Sequence, residues 1–135
     1  MIAVMDESPA ATGSHKRRVL LVEDEPALLE ALRRLLDREY VLEIAHDVDE
    51  AVGRLDEGPF DAVLADHHLP GKSGLDLLEV VKERHPDSAR ILLSGDEAVR
   101  VTAKRRARLV DAFLLKPASS REIKACVKRA LSRRS

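Results

Sequence analysis

The stretch VLLVEDEP, Val19 to Pro26, decides the fold class. Its first four residues form an unbroken apolar run, as a strand covered on both faces requires. Its next three are acids. Pro26 then suits the first turn of a helix, because its ring presets φ and its missing amide hydrogen is one that no intrahelical bond would use. Leu28, Leu29, Leu32, Leu35 and Leu36 follow at helical spacing and make one apolar stripe, so this helix docks on the sheet to which the strand belongs. A covered strand, an acidic turn and an amphipathic helix constitute one βα unit.

Working outward, the unit repeats. Val41 to Ala45 reads as a second strand, and Asp47 with Glu50 matches a capping box for a short helix carrying Val48, Val52 and Leu55, stopped by Gly58 and Pro59. Ala62 to Ala65 is a third apolar run and ends at Asp66; Leu75, Leu78 and Val81 or Lys82 mark a third helix before Pro86. Ile91 to Leu93 predicts a fourth strand ending at Ser94, followed by a weaker helical stretch from Asp96 to about Arg106. Ala112 to Leu115 predicts a fifth strand ending at Lys116. Ser119 and Glu122 cap a last helix that places Ile123, Cys126, Val127, Ala130 and Leu131 on one face. Five βα units joined by short connections imply an α/β fold, a parallel sheet with helices on both faces. Ligands of such sheets sit beyond the carboxyl ends of the strands.

Composition agrees. The 135 residues make one domain, and 44% hydrophobic residues at a net charge of −1 exclude intrinsic disorder. The single cysteine, Cys126, excludes an internal disulfide and a multi-cysteine metal site, and its place on the last helix's apolar stripe reads as a small buried hydrophobe. No apolar stretch approaches the roughly 18 to 20 residues that span a bilayer, and the expected location is the cytoplasm. Residues 1–16 read as a flexible leader, 17–132 as the folded domain and 133–135 as a short tail. Tyr40, Phe60 and Phe113 are the only aromatics, which leaves few stacking platforms for single-stranded nucleic acid or flat ring cofactors. Charge is polarised: Asp96 to Ser135 holds 12 Lys and Arg against four Asp and Glu, which leaves the first 95 residues at −9.

The strand ends carry Glu23-Asp24-Glu25, Asp66, Ser94 and Lys116-Pro117. Converging carboxylates repel one another and raise the pKa of at least one, and a hard divalent cation resolves that conflict. Mg²⁺ keeps several waters and accepts one or two carboxylates together with phosphoryl oxygens, with Asp24 and Asp66 as direct ligands and Glu23 acting through water. One carboxylate could also attack phosphorus to form an aspartyl phosphate. Phosphoryl transfer needs neutralised charge and in-line placement above all, and a metal, Lys116 and the Ser94 hydroxyl are sufficient equipment.

With these segments in order, the chain from Arg17 to Leu131 resembles the receiver domain of two-component response regulators. The matching segments are VLLVEDEP, ADHHLPGKSGLDLL, ILLSGD and AFLLKP, each ending a strand. The resemblance implies a flavodoxin-like doubly wound sheet of order 2-1-3-4-5. It implies that Asp66 accepts a phosphoryl group from a phosphohistidine of a sensor histidine kinase or phosphotransfer protein. Mg²⁺, or Mn²⁺, would be held by Asp24, Asp66, the backbone carbonyl of His68 and, through water, Glu23. Ser94 and Lys116 would bind the new phosphate. Ser94 would shift toward it while Phe113 turns inward, repacking the face of the fourth helix, fifth strand and fifth helix for an output protein or a phosphorylation-dependent dimer. Ser94 stands where threonine is frequent. His68 and Asp96 lie at variable positions near the hydrolytic water, which predicts that they tune phosphate lifetime. Leu109-Val110-Asp111 lacks a glycine often found there, which puts the preceding loop in question.

Taken singly, these residues have plainer readings. Glu23 and Asp24 would favour the positive end of the first helix, Lys116 would be a solvated charge beside a turn at Pro117, cis in one reading, and Ser94 a loop hydroxyl. His67 and His68 invite a zinc or copper site with Asp66, but adjacent side chains of an extended segment point opposite ways. The basic run Lys104, Arg105, Arg106, Arg108 and the tail Lys128, Arg129, Arg133, Arg134 would be solvated faces; on the output face they fit an acidic partner or, second, phosphate backbone. No helix-turn-helix pattern supports DNA reading by this chain alone. Competing functions are a haloacid-dehalogenase-like phosphohydrolase, whose second aspartate is replaced here by His68; a flavin binder, whose phosphate loop Glu23-Asp24-Glu25 would repel; and an unphosphorylated scaffold, against which the intact Asp, Ser and Lys set argues.

Overall fold

Strands and helices alternate in the computed structural model, which describes residues 16–106 and 108–134. The elements are β1 (Arg17–Val22), α1 (Pro26–Leu36), β2 (Tyr40–Ala45), α2 (Val48–Asp56), β3 (Ala62–Asp66), α3 (Gly74–Arg84), β4 (Ala89–Ser94), α4 (Glu97–Arg105), β5 (Ala112–Leu115) and α5 (Ser120–Arg134). All pairings are parallel and the order is β2-β1-β3-β4-β5. The expected leader lies outside the described residues except for Lys16, and the expected tail begins inside α5, where Arg133 donates to the carbonyl of Asp111 at 3.1 Å.

Burial explains the apolar runs. The inner strands β3 and β4 are buried at every position, whereas edge strand β2 is mostly half-exposed. Alternate residues of the same strands feed two cores. Leu20, Val63, Ala65 and Leu92 pack under α2, α3 and α4, and Val19, Leu21, Leu64, Ile91 and Leu93 pack under α1 and α5. Each fully buried Leu or Ile contributes roughly 1.5–3 kcal/mol relative to exposure. In α3, Val81 is buried and Lys82 exposed, which settles that stripe. Cys126 is buried as expected, and burial pushes its thiol up.

Caps set where the helices begin. Ser119 and Glu122 exchange hydrogen bonds of 2.8 and 3.1 Å at the start of α5, the reciprocal pattern the sequence predicts. Ser73 and Asp76 form a second capping box at α3, readable from the same S-x-x-D spacing. At α2 the expected box is only half built. Asp47 accepts from the Glu50 amide at 2.7 Å, but the Glu50 carboxylate turns to the amide and ring of His46 instead of closing on Asp47. His46 offers two donors to Asp47's one, which accounts for the difference.

Strand β4 begins two residues earlier than the apolar run Ile91–Leu93 predicts, because it includes Arg90, which is 2% exposed. A buried guanidinium requires hydrogen-bond partners, and Arg90 has them: Nε donates to Leu109 O at 2.7 Å, Nη2 to Arg108 O at 2.8 Å, and Nη1 to Pro86 O and Ser88 O at 3.2 and 3.1 Å. The loop before Asp111 manages without glycine by placing Arg108 at φ 62°, with its carbonyl bonded to Arg90.

Candidate functional site

The parallel register brings the polar strand ends to one edge. Val22 is level with Ala65, Asp66 with Leu93, and Ser94 with Leu115, so Glu23, Asp66, Ser94 and Lys116 emerge side by side. Backbone hydrogen bonds extend the ladders past the strands and hold these residues: Glu23 N–H to Ala45 O at 3.0 Å, His67 N–H to Leu93 O at 2.9 Å and Lys116 N–H to Ser94 O at 2.9 Å. The start of α3 then packs directly on the end of β3. A Cβ on Gly74 would lie 2.4 Å from the carbonyl oxygen of Asp66 and 2.9 Å from the His67 Cα. Only glycine permits this approach.

Asp66 is 4% exposed, and the Lys116 ammonium lies 2.9 Å from its Oδ1. The contact is an ion pair, and apart from it this buried Oδ1 has no partner among the described residues. Glu23 is 2% exposed; its Oε2 accepts from the Glu25 amide at 3.1 Å and its Oε1 has no partner among the described residues. Burial raises the Glu23 pKa, the Glu25 amide opposes that, and the neighbouring Asp66 charge raises it further. Desolvation, more than the repulsion between carboxylates, thus drives the shift. Asp24 is exposed, and one carboxylate oxygen each from Glu23, Asp24 and Asp66 lie within 4.8 Å of one another. Two buried, under-coordinated oxygens beside a third, accessible acid suit a hard cation that keeps part of its water shell, so the residues present fit Mg²⁺ or Mn²⁺.

Ser94 is fully buried at the end of β4, and its Oγ accepts from the Asp96 amide at 3.1 Å. Asp96 in turn caps α4, accepting from the Ala98 amide at 2.9 Å. Phe113 is half-buried against the core beneath α2, α3 and α4. The Lys116–Pro117 peptide is cis. His68 follows Asp66 by two residues and is exposed.

The expectation that the His67 and His68 rings diverge is corrected. Their centroids are 5.1 Å apart in an edge-to-face contact. The strand ends at Asp66, so the alternation of an extended chain no longer governs the pair. The rings nonetheless join no metal-ligand group among the described residues; the one such group is Glu23, Asp24 and Asp66. His67 Nδ1 is buried without a hydrogen bond, and desolvation lowers the pKa of its ring. Arg90 and Gly74 are the structurally important residues that patterning missed. An arginine interrupts the apolar run of a strand, and nothing local marks which glycine touches a neighbouring backbone.

The sequence model of the response regulator receiver domain matches residues 19–128. The transcriptional regulatory protein ResD of Bacillus subtilis is 32% identical over 124 residues, covering 90% of this chain and 51% of ResD. The transcriptional regulatory protein TrcR of Mycobacterium tuberculosis is 36% identical over 121 residues, covering 87% of this chain and 46% of TrcR. The chain thus spans about half the length of these relatives. Among solved structures, the signal receiver domain of an HD domain-containing protein from Pseudomonas fluorescens Pf-5 superposes with a TM-score of 0.80 at 30% identity, covering 88% of this chain and 89% of that one. A CheY-like receiver domain protein from Methanospirillum hungatei JF-1 gives 0.82 at 26% identity, covering 89% and 97%.

Proposed function

The chain belongs to the response regulator receiver domain family, and from that premise we propose that it is a phosphorylation-dependent switch in which Asp66 is the phosphoacceptor. The observation that carries this reading is the buried Asp66 carboxylate with Lys116 Nζ at 2.9 Å and Glu23 and Asp24 beside it. A carboxylate oxygen of Asp66 attacks phosphorus of a phosphohistidine on a sensor kinase or phosphotransfer protein. The new O–P bond forms as the N–P bond breaks, and the imidazole departs with the electron pair and takes up a proton. Glu23, Asp24, Asp66 and the carbonyl of His68 would hold Mg²⁺, which when bound offsets charge on the transferring oxygens. Lys116 supplies a further positive charge to one phosphoryl oxygen, and the Ser94 hydroxyl, free to rotate about Cβ–Oγ, donates to another.

Withdrawal of Ser94 Oγ toward the phosphate removes the acceptor of the Asp96 amide and loosens the β4–α4 junction. Phe113 then turns inward and the face formed by α4, β5 and α5 repacks. That face exposes Val101 and Leu115 among the exposed Lys104, Arg105 and Arg129, which fits a protein partner offering an apolar side chain ringed by acids. A second copy of the chain on the same face would make the phosphorylation-dependent dimer. The exposed His68 stands where a dehalogenase-like hydrolase has its acid, so turnover of a separate phosphate ester is not proposed. His68 and Asp96 flank the approach of water to the phosphate; His68→Ala and Asp96→Asn, the latter keeping the helix cap, are expected to change the dephosphorylation rate, and unchanged rates would remove both from that role.

The test is incubation with acetyl phosphate and Mg²⁺ followed by intact-mass measurement. One added phosphoryl group is expected in the wild type, and none in Asp66→Ala or with EDTA. An adduct that persists in Asp66→Ala, or none in the wild type, would overturn the reading.

A further inference from the structure

Helix α4 is held very differently at its two ends. At its start, residues 95–98 are exposed, and the tie to the sheet is the Asp96 amide on Ser94 Oγ at 3.1 Å. Only Val99 and Ala103 of the helix are buried. At its end the attachments accumulate. Arg106 pairs with Glu79 of α3, and Leu109, 3% exposed, is a member of the core beneath α2, α3 and α4 and its amide bonds Arg106 O at 3.1 Å. The Arg108 and Leu109 carbonyls receive the Arg90 guanidinium at 2.8 and 2.7 Å, while Asp111 completes the anchor, its amide bonding Arg90 O at 2.8 Å and its Oδ2 accepting from the Arg90 amide at 2.7 Å. The same guanidinium reaches back to Pro86 and Ser88, so one buried cation joins the loop before β4 to the segment before β5.

We propose that Arg90 makes the segment Arg108–Asp111, which follows α4, a fixed anchor beyond its C-terminal end, so that a change at Ser94 tilts the helix about that end instead of shifting it whole. This rests on the switch reading above. Charge-assisted bonds from a buried guanidinium to main-chain carbonyls are among the stronger ties a fold can make, because loss of the donor strands several acceptors out of water. Arg108 reinforces the tie: at φ 62° a non-glycine residue is held in a disfavoured conformation, and its carbonyl bond to Arg90 opposes relaxation. A lever with one soft and one rigid end moves most where it is soft. The largest displacement is therefore delivered near Glu97 to Val101 and the smallest near Leu109, so exposed Val101 moves relative to Leu115.

The experiment is hydrogen–deuterium exchange by mass spectrometry on the full chain, with and without Mg²⁺ and beryllofluoride as the phosphoryl mimic. In the wild type, exchange is expected to change by about fivefold or more over residues 95–101 and by less than about twofold over 108–111. In Arg90→Met the change should spread through 108–111, and in Arg90→Lys, which keeps the charge but reaches fewer carbonyls, it should spread partially. A wild-type response of equal size from 95 to 111 overturns the pivot without needing either variant to fold, as does an Arg90→Met protein that keeps the wild-type gradient. No response anywhere would instead remove the switch reading, and the pivot with it.

Discussion

At Glu23, burial and chemistry pull in opposite directions. Desolvation raises its pKa in the folded chain. A raised carboxyl favours the fold fully below the ordinary glutamate range and loses that contribution as pH climbs through the raised value, so the buried carboxyl opposes folding above that range unless a cation neutralises it. Glu23→Gln is therefore expected to raise the Tm of the metal-free protein at pH 7 while weakening Mg²⁺ binding by about 10- to 100-fold, the range for groups acting on a metal from its outer shell. Thermal melts with and without Mg²⁺ read both effects; a metal-free variant that melts below wild type would contradict the assignment. Asp24, Asp66, Ser94 and Lys116 were legible as residues because each is a polar group at the end of an apolar run. The state of Glu23 was not, since a turn acid beside Asp24 and Glu25 gives no sign that it is the buried one of the three.

Among the elements, the junction of β3 and α3 carries the tightest constraint. The Gly74 amide bonds His67 O at 2.9 Å, and a methyl there would drive into the Asp66 carbonyl and the Leu92 side chain. Gly74→Ala is expected to destabilise the fold by about 1–3 kcal/mol, as over-packing does, and, on the proposed function, to slow phosphorylation in the absence of denaturant by moving Asp66. Chemical denaturation and the acetyl phosphate assay measure the two separately, and wild-type values in both would show that the backbone accommodates the methyl without loss. Helix positions were readable to within a residue or two, because caps and 3.6-residue periodicity are local signals. The start of β4 was not, because the partners that make Arg90 tolerable in a strand come from residues 86–88 and 108–111, near one another only in the fold.

On the scale of the whole molecule, the sheet is shared by two cores, so neither can unfold alone without exposing the other. Leu77 lies in the core beneath α2, α3 and α4, and Leu64 in the core beneath α1 and α5. Leu77→Ala and Leu64→Ala are each expected to lower stability by about 2–5 kcal/mol within a single transition followed alike by circular dichroism and by exchange of β3 amides; two separated transitions would show that the cores are independent. The polarity of charge is also arranged at this scale. Glu23, Asp24, Glu25 and Asp66 meet at the carboxyl ends of the strands, whereas the exposed Lys104, Arg105, Lys124, Lys128 and Arg129 lie on α4 and α5. By itself the sequence determined the alternation of strands and helices, the parallel fold class and the identity of the polar strand-end residues, because apolar periodicity, caps and turn residues act over a few positions. Only the tertiary structure shows that Glu23 is buried, that the two histidine rings touch, that α3 rests on the Asp66 backbone and that the Arg90 guanidinium is buried on the carbonyls of Arg108 and Leu109. Desolvation, close approach and the satisfaction of a buried charge depend on atoms brought together from distant parts of the chain, and no local pattern records them.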